Sequence, residues 1–207
     1  MADTEKLDLY KTHKSDYITP RQPALVDIAR ATYLTIDGQG EPGGDVFETR
    51  IAALYAMAFT IKMTSKFAGQ DYVVCKLEGL WWTDDGSSDF LSVPKSQWRW
   101  RMLIRTPSFI QRRQRASARD ALLAKGKAAE VREVKLETIH EGRCVQMLHV
   151  GPYEAEAGAI SAMQAFAAEQ GMTFHGLHHE IYLSDPRRVS PQRLRTILRH
   201  PVKDVTG

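Results

Sequence analysis

The sequence predicts an α+β protein in which two strand–helix–strand–strand halves are related by a pseudo-two-fold axis and form a ligand cradle. Residues 101–107 recur in order at residues 195–201, as arginine, a short apolar run, arginine, one further residue and proline. Each copy follows an apolar stretch, a helical stretch and a run rich in aromatic residues. A period of about 100 residues is too long for a solenoid repeat. It suits a duplicated half-domain, and the groove between two such halves is a common place for a ligand.

The first half is expected to span residues 23–107 and to begin with a strand and a long helix. Residues 29–36 are rich in β-branched and aromatic residues, which is typical of a strand. After a glycine-rich break, Asp45 followed by Glu48 resembles a capping box. Apolar residues then recur at helical spacing, so a helix is expected to run to about Phe67.

Two more strands and a connecting helix complete this half. The strands are expected at residues 71–82 and 98–105. A connecting helix is expected within residues 108–127, with Ser108 as its cap. It carries several arginines, which form either a solvated face or a surface for an anionic partner. Those arginines are Arg112, Arg113, Arg115 and Arg119.

The second half, residues 128–207, is expected to repeat the order. Residues 131–139 and 144–150 predict a hairpin, and Gly151-Pro152 precedes a helix that ends at Gly171. Residues 174–183 and 194–202 predict the last two strands. Residues 1–22 show no steady period and are interpreted as an N-terminal arm lying over the domain.

Bulk properties exclude several classes of protein. A net charge of +3 is too small to indicate nucleic-acid binding, which needs clustered charge, so no direct nucleic-acid contact is expected. Apolar runs fall short of the ~20 residues that span a membrane, and the first residues lack the order of a signal peptide. Cys75 and Cys144 lie in apolar runs, as small core residues of a reduced, cytoplasmic protein would.

The two aromatic strands suggest which side chains line the groove. When the acidic turns at Asp85 and Asp185 are aligned, Glu78 matches His178, Leu80 matches Glu180 and Trp82 matches Tyr182. Because side chains alternate across a strand, every second residue shares a face. Trp81 and Ile181 are then expected to face the helices. The residues expected on the helix-free face are Glu78, Trp82, His178, Glu180 and Tyr182.

Glu180 is the strongest candidate for chemistry. A carboxylate with apolar and aromatic neighbours is an unusual surface residue, and burial would raise its pKa toward the range useful for acid–base work. The alternative is a structural pair with Arg105 or Arg199.

The tryptophans of this region have two interpretations. Trp98 and Trp100 share a face, and they either line the groove together with Trp82 or belong to the core.

The sequence carries no recognisable metal or cofactor motif. His178 and Glu180 would point together while His179 points away, so the histidine cluster does not form a ligand set on one face. There is no His-Glu-x-x-His or Cys-x-x-Cys spacing and no Gly-x-Ser-x-Gly elbow. We therefore expect neither a metal nor a cofactor.

Several of these segments resemble a known family. Residues 179–187 with 194–202 resemble the C-terminal signature of GyrI-like small-molecule-binding proteins, and residues 77–82 with 98–109 resemble the standalone branch of that family. The resemblance covers nearly everything from residue 20 onward. The arginine-rich helix at 112–119 departs from the more acidic version expected in this branch.

The resemblance implies a cradle that binds bulky, often aromatic or cationic, compounds above a deep glutamate. Some family members are fused to DNA-binding helices and act as regulators; because the two halves take up residues 23–207, no such module is expected within these residues. The standalone branch includes cyclopropanoid cyclopropyl hydrolases, which use an aromatic cage and open the strained ring of DNA-alkylating compounds such as yatakemycin, protecting cells.

On this basis each candidate residue receives an expected role. Glu180 is the base or water positioner, and a tyrosine or histidine donates to the carbonyl oxygen as the ring opens, for which Tyr182 is the catalytic candidate. Trp82 and Trp100 are cage walls. Further substrate-binding candidates are Glu78, Phe109, Tyr153 and His178. Two alternatives remain: a non-catalytic binder of aromatic or cationic compounds, and an interaction module such as a gyrase-binding inhibitor.

Overall fold

The computed structural model describes residues 6–87 and 89–205, whose nine strands form one antiparallel sheet with helices packed on one of its faces. The α+β class predicted from the sequence is confirmed. The elements in chain order are α1 (Leu9–Thr12), β1 (Ala24–Ile28), β2 (Ala31–Gln39), α2 (Asp45–Phe67), β3 (Leu77–Trp82), β4 (Arg99–Thr106), α3 (Arg112–Ala124), β5 (Lys135–Ile139), β6 (Gly142–Val150), α4 (Glu156–Glu169), β7 (Met172–Phe174), β8 (His178–Tyr182) and β9 (Arg195–Asp204).

The two halves meet at the centre of the sheet. The strand order is β1-β6-β9-β8-β3-β4-β2-β5, and β7 pairs with β9 beside this path. β3 from the first half and β8 from the second are therefore direct neighbours. Helix α2 packs over β2 and β4, whereas α4 packs over β6, β7 and β9. The centre of the sheet thus lies between the two helices.

The core follows the apolar spacing of the helices. On α2, Leu54, Met57 and Ile61 are buried against Leu34 and Ile36 of β2. Full burial of such a side chain contributes about 1.5–3 kcal/mol, so this stripe anchors the helix to the sheet. A second cluster joins α4 to β6 and β9, and its fully buried members are Val145, Met163 and Leu198.

The hairpin expected between residues 131–139 and 144–150 is wrong. β5 pairs with β2, with Leu136 opposite Leu34, whereas β6 pairs with β1 and β9. Gly142, at a positive φ of 66°, separates the two strands. Each half has an open sheet edge, and a strand from the other part of the chain covers it. β1, which the sequence interpretation did not include, is one of these edge strands.

Helix starts also differ from the expectations. α2 begins at Asp45 after Gly44, which has no side chain to cap the helix, so Asp45 and Glu48 do not form the expected capping box. They lie in the first turn, where their negative charges interact favourably with the helix dipole. α3 begins at Arg112 rather than near Ser108. Its capping box is formed by Gln111 and Gln114, whose Oε1 accepts from the Gln111 N–H at 3.1 Å.

Two expected strands are shorter than the pattern suggested. Of residues 71–82 only Leu77–Trp82 forms a strand, while Tyr72 makes an isolated bridge with Leu7. Residues 174–183 are split into β7 and β8, and the break contains Gly176 at a positive φ of 69°. A residue in that conformation leaves the extended region, so the strand cannot continue through it.

The end of the N-terminal arm packs on the helix-free face of the sheet, whereas Leu7 and Leu9 join the core cluster of α2. Tyr17 is buried there with Ile181 and Ile197. Residues 1–5 of the expected arm lie outside the described residues. Cys75 and Cys144 are buried and free. Among the helices of the described residues, none combines the length and the apolar character needed to cross a bilayer.

Candidate functional site

The register of the two central strands divides the predicted groove residues between the two faces of the sheet. Gly79 is opposite Glu180, and Leu80 is opposite His179. Directly opposed residues of antiparallel strands share a face. Glu180 therefore lies on the helix-bearing face, as do His178 and Tyr182 of the same strand.

The expectation that all five candidates share the helix-free face is consequently wrong. Glu78 and Trp82 do lie on that face, but His178, Glu180 and Tyr182 do not. The alignment of Asp85 with Asp185 placed the even-numbered residues of the two strands on the same face. In the observed register, each even-numbered residue of one strand is opposite an odd-numbered residue of the other. A shift of one residue moves every side chain of a strand to the opposite face. The expectation that Trp81 faces the helices is confirmed, whereas the same expectation for Ile181 is wrong, because Ile181 is opposite Glu78 and packs with Tyr17 on the helix-free face.

A buried cluster of three titratable side chains lies on the helix-bearing face between α2 and α4. Glu156 comes from the first turn of α4, and His178 and Glu180 come from β8. Their nearest donor atoms all lie within 4.8 Å of one another, and the three residues are 3%, 1% and 5% exposed. His178 Nε2 is 3.6 Å from Glu180 Oε1. That separation is too long for a good hydrogen bond, and His178 Nε2 and Glu156 Oε1 are buried without a hydrogen-bond partner among the described residues.

Burial sets the protonation of this cluster. It raises the pKa of Glu180 to about 7, against the lowering effect of hydrogen bonds from Tyr182 and Glu156. Burial also raises the pKa of Glu156 well above its ordinary value, and the neighbouring Glu180 raises it further. Two adjacent buried carboxyls cannot both ionise cheaply, so Glu156 holds the proton while Glu180 ionises near neutral pH. Burial lowers the pKa of His178, so its ring is neutral.

Tyr182 supplies a protonated hydroxyl beside Glu180. Burial, followed by the charge of Glu180, raises the pKa of Tyr182 well above its ordinary value. The Trp81 Nε1–H donates to Tyr182 Oη at 3.1 Å. Gly79 leaves the room for this contact, because a Cβ there would lie 2.9 Å from Tyr182 Oη and 3.0 Å from Trp81 Nε1.

Aromatic side chains from both halves surround the cluster. The Trp81 ring stacks on Phe47, with centroids 6.2 Å apart, and on Phe90 at 6.0 Å. Phe90 in turn lies 5.4 Å from the His178 ring. From the second half, Tyr153 meets Tyr182 edge to face at 6.0 Å. Large contact areas of this kind suit a flat organic molecule.

The structure places the other predicted residues in core clusters. Trp82 packs with Tyr33, Leu80 and Leu103 on the helix-free face. Trp100 is fully buried over Gly38, where an added Cβ would lie 2.0 Å from its ring.

Phe109 belongs to the core beneath α2. Its ring meets that of Tyr72 edge to face, with centroids 6.0 Å apart.

The alternative of a structural ion pair for Glu180 is not what the structure shows. Arg105 pairs with Asp16 and Arg199 pairs with Glu141, and both arginines lie on the helix-free face. Glu180 therefore lies in its cluster without an arginine partner.

The sequence interpretation missed Glu156 and Phe90. An acidic residue in the first turn of a helix is ordinarily read as a favourable dipole partner, and that signal does not distinguish a buried carboxyl from an exposed one. With Glu156 added, the ligand atoms of Glu156, His178 and Glu180 lie close enough together to hold one metal ion. The histidines of β8 by themselves do not form a ligand set, and the third ligand atom comes from Glu156 of α4.

Comparison with known proteins gives consistent results. A family model described as the GyrI-like small molecule binding domain matches residues 21–203. Three solved structures from Listeria innocua are each 35% identical to the chain, and the alignments cover 96% of this chain and 100% of theirs. One is an uncharacterized conserved protein, with a TM-score of 0.88, and two are described as hydrolases, with TM-scores of 0.85 and 0.87. No curated protein matches the chain.

Proposed function

The chain belongs to the GyrI-like small-molecule-binding domain family, and from that premise we propose that it hydrolyses an aromatic compound bound between α2 and α4. The observation that carries the proposal is the buried Glu156–Glu180 pair beneath an aromatic wall. The similar Listeria proteins described as hydrolases support the same reaction class.

The two carboxyls have the different protonation states that hydrolysis needs. Glu180, with its pKa raised to about 7, is sufficiently basic to take a proton from water and is still ionised in a useful fraction at neutral pH. Glu156 keeps its proton and can donate it. One fold thus presents a general base and a general acid a few ångströms apart.

We propose a cyclopropane ring conjugated to a dienone as the bond that is opened. The water oxygen attacks a ring carbon while Glu180 accepts the water proton. The carbon–carbon bond breaks, and its electron pair moves through the conjugated system to the carbonyl oxygen, giving a phenolate. Glu156 donates a proton to that oxygen, and Tyr182, whose hydroxyl stays protonated, stabilises it with a hydrogen bond. The product is the substrate plus one water, and no oxidant or cofactor is consumed.

The aromatic wall supports this choice of substrate class. Trp81, Phe90 and Tyr153 present rings beside the acid cluster, and stacking against them would hold a planar conjugated compound. Holding the ring carbon against a water molecule that Glu180 positions converts a bimolecular attack into an effectively unimolecular one.

Binding without turnover is the second candidate function. Glu180 and the tryptophan wall would also hold an aromatic cation, because a carboxylate and ring faces both attract positive charge. A binder of this kind would sequester its ligand unchanged.

Replacing Glu180 tests the proposal. A yatakemycin-type cyclopropanoid is incubated with the protein, and mass spectrometry follows the gain of one water. Glu180→Gln should lower turnover by about 10²–10⁴-fold, the usual contribution of a general base, while the ligand still raises the melting temperature. Glu156→Gln should also slow the reaction.

The matched control is Glu154→Gln, because Glu154 lies two residues before Glu156, in the turn that precedes α4, and its side chain is 71% exposed. It should keep wild-type turnover. Unchanged turnover in Glu180→Gln contradicts the role of Glu180. A wild-type protein that is stabilised by the compound but yields no hydrated product is a binder.

A further inference from the structure

A second buried cluster lies on the helix-free face, directly behind Glu180. Its centre is His179, the residue before Glu180 on β8, which is 2% exposed. The His179 Nδ1 is 2.9 Å from Glu141 Oε1, and the Nε2 is 3.0 Å from Glu78 Oε2. The Glu78 contact is an ion pair that is not aligned as a hydrogen bond.

This environment requires a charged imidazole. A neutral histidine has one N–H and one lone pair, whereas here a carboxylate faces each ring nitrogen. Burial by itself would lower the pKa of His179, but Glu141 and Glu78 outweigh it and raise the pKa to about 9. His179 is therefore a fixed positive charge at neutral pH.

The rest of the cluster balances this charge and joins the arm to the sheet. Arg199 Nη1 lies 2.8 Å from Glu141 Oε2, and Arg105 Nη1 lies 2.8 Å from Asp16 Oδ2. Tyr17 Oη donates to Glu78 Oε1 at 3.2 Å. The three carboxylates and three cations cancel, as a buried group of charges must if it is not to destabilise the fold. The carboxylates are Asp16, Glu78 and Glu141, and the cations are Arg105, His179 and Arg199.

The second arginine of each copy of the sequence repeat belongs to this cluster. Arg105 and Arg199 occupy equivalent positions in residues 101–107 and 195–201. Both donate to Asp16: Arg105 to the Asp16 carboxylate and Arg199 to the Asp16 backbone carbonyl. The duplicated motif thus holds the N-terminal arm against the back of the sheet.

We propose that His179 is the positioning residue of the site: anchored between Glu78 of β3 and Glu141, it holds β8 in the register that directs Glu180 toward Glu156 and places a positive charge behind that carboxylate. This role rests on the proposed function only in that Glu180 is the acting carboxylate. The geometric reason is the pairing of Leu80 with His179 beside that of Gly79 with Glu180. A slip of one residue would turn Glu180 to the helix-free face and away from Glu156.

The charged groups around both residues determine the expected pH behaviour. Facing Glu180 are Glu156 and Tyr153, next to the β8 residues His178 and Tyr182. Facing His179 are Glu78, Glu141 and, beyond them, Arg199. Among these, the positive charge of His179 lowers the pKa of Glu180. Removing it should therefore raise that pKa further.

The test is a carbon-13 NMR titration of the glutamate carboxyls, with Glu180→Gln used to assign the Glu180 signal. In His179→Gln the Glu180 midpoint should move up by about one pH unit, because a neighbouring opposite charge is lost. His140→Gln is the matched control, since His140 is an exposed histidine two residues before β6. Its Glu180 midpoint should equal that of the wild type.

Asp16→Asn separates positioning from general loosening of the cluster. It removes a charge from the same cluster but leaves His179 between its two carboxylates. It should lower the melting temperature and leave the Glu180 midpoint unchanged. A wild-type midpoint in His179→Gln, or an equal rise in Asp16→Asn, would overturn the proposal.

The wild-type protein gives a measurement that does not depend on any variant folding. Nitrogen-15 NMR of the His179 ring at pH 7 should show both nitrogens protonated, with deprotonation near pH 9. A neutral ring at pH 7 would contradict the assignment.

These readouts also distinguish the two proposals. If the wild type hydrolyses no cyclopropanoid but His179→Gln still shifts the Glu180 midpoint, the proposed reaction fails and the positioning role stands. If hydrolysis occurs, the rising limb of the rate profile should move to higher pH in His179→Gln and the rate should recover there. A merely structural defect would lower the rate at every pH.

Discussion

At the scale of single residues, the site depends on a carboxyl that folding makes less acidic. Glu180 has ordinary chemistry in the unfolded chain, but burial raises its pKa to about 7 in the folded protein. The adjacent strand residues have opposite surroundings: His178 is neutral on one face, and His179 is charged on the other. Because side chains alternate along β8, the buried acid cluster lies on one face of this strand and the ion-pair cluster lies on the other.

The raised pKa of Glu180 makes the stability of the protein depend on pH. Between about pH 4.5 and 7 the folded state binds more protons at this position than the unfolded state does. Stability from Glu180 is therefore fully present below about pH 4.5 and is lost as pH rises through 7, by on the order of 3 kcal/mol.

We expect Glu180→Gln to remove this loss, because the amide does not ionise. Compared with wild type, its free energy of unfolding should be higher at pH 8, and the two should converge near pH 4. Urea denaturation at a series of pH values measures both. A wild-type slope in Glu180→Gln would show that Glu180 is not the group that titrates.

At the scale of elements, the candidate site lies where the paired strands β3 and β8 are covered by α2 and α4. β3 contributes Gly79 and Trp81, β8 contributes His178 and Glu180, and the aromatic and acidic covers come from α2 and from the start of α4. The absence of a side chain at Gly79 is what lets the Tyr182 hydroxyl and the Trp81 indole meet opposite Glu180.

Two glycine-to-alanine changes should therefore act in opposite directions. In Gly79→Ala the new methyl would lie 2.8 Å from Met102 Cε and 2.9 Å from Tyr182 Oη, so overpacking should cost about 1–3 kcal/mol of stability. Gly158→Ala, in α4 with open space around the site of its Cβ, should stabilise the protein by about 0.5–1 kcal/mol through helix propensity.

Denaturation midpoints of the two variants measure these effects. Activity adds a second readout, because displacement of Tyr182 should slow turnover in Gly79→Ala, while Gly158→Ala should turn over normally. A neutral Gly79→Ala would mean that the Trp81–Tyr182 contact is not confined by the strand.

At the scale of the whole molecule, the chain closes its sheet by exchanging strands and by burying its arm. β1 and β5 each pair with the half of the sheet that lies far from them in sequence. The arm then places Asp16 between the two repeated arginines on the helix-free face. The pseudo-two-fold arrangement is thus completed by a segment that has no counterpart in the repeat.

Loss of the Asp16 carboxylate should destabilise the whole domain. Asp16→Asn leaves Arg105 buried without its partner, and breaking one side of a buried pair costs about 3–5 kcal/mol. Asp84→Asn is the control, because the Arg99–Asp84 pair is about half exposed and such pairs contribute about 0–1 kcal/mol. Thermal and urea denaturation compare them, and equal losses would show that the arm pair is not buried in solution.

Local patterns located most of the elements. Helical spacing predicted α2 to its last residue, Phe67, and β-branched and aromatic runs located the central strands. The same patterns failed where pairing depends on distant partners: the hairpin between β5 and β6 was wrong, and β1 was not predicted. Periodicity reports which side of an element is apolar, but it carries no information about which strand lies beside it.

The sequence by itself determined the duplicated α+β fold and the family resemblance, and it selected Glu180 as the candidate for chemistry. Only the tertiary structure decided which face of β8 carries Glu180, and hence that Trp81 and Glu156 rather than Trp82 lie on the same side of the sheet as Glu180. The physical reason is that strand side chains alternate with a period of two, so an uncertainty of one residue in register exchanges the faces completely. Tertiary packing removes that uncertainty, because in the observed register Gly79 is opposite Glu180 and His179 lies between Glu78 and Glu141.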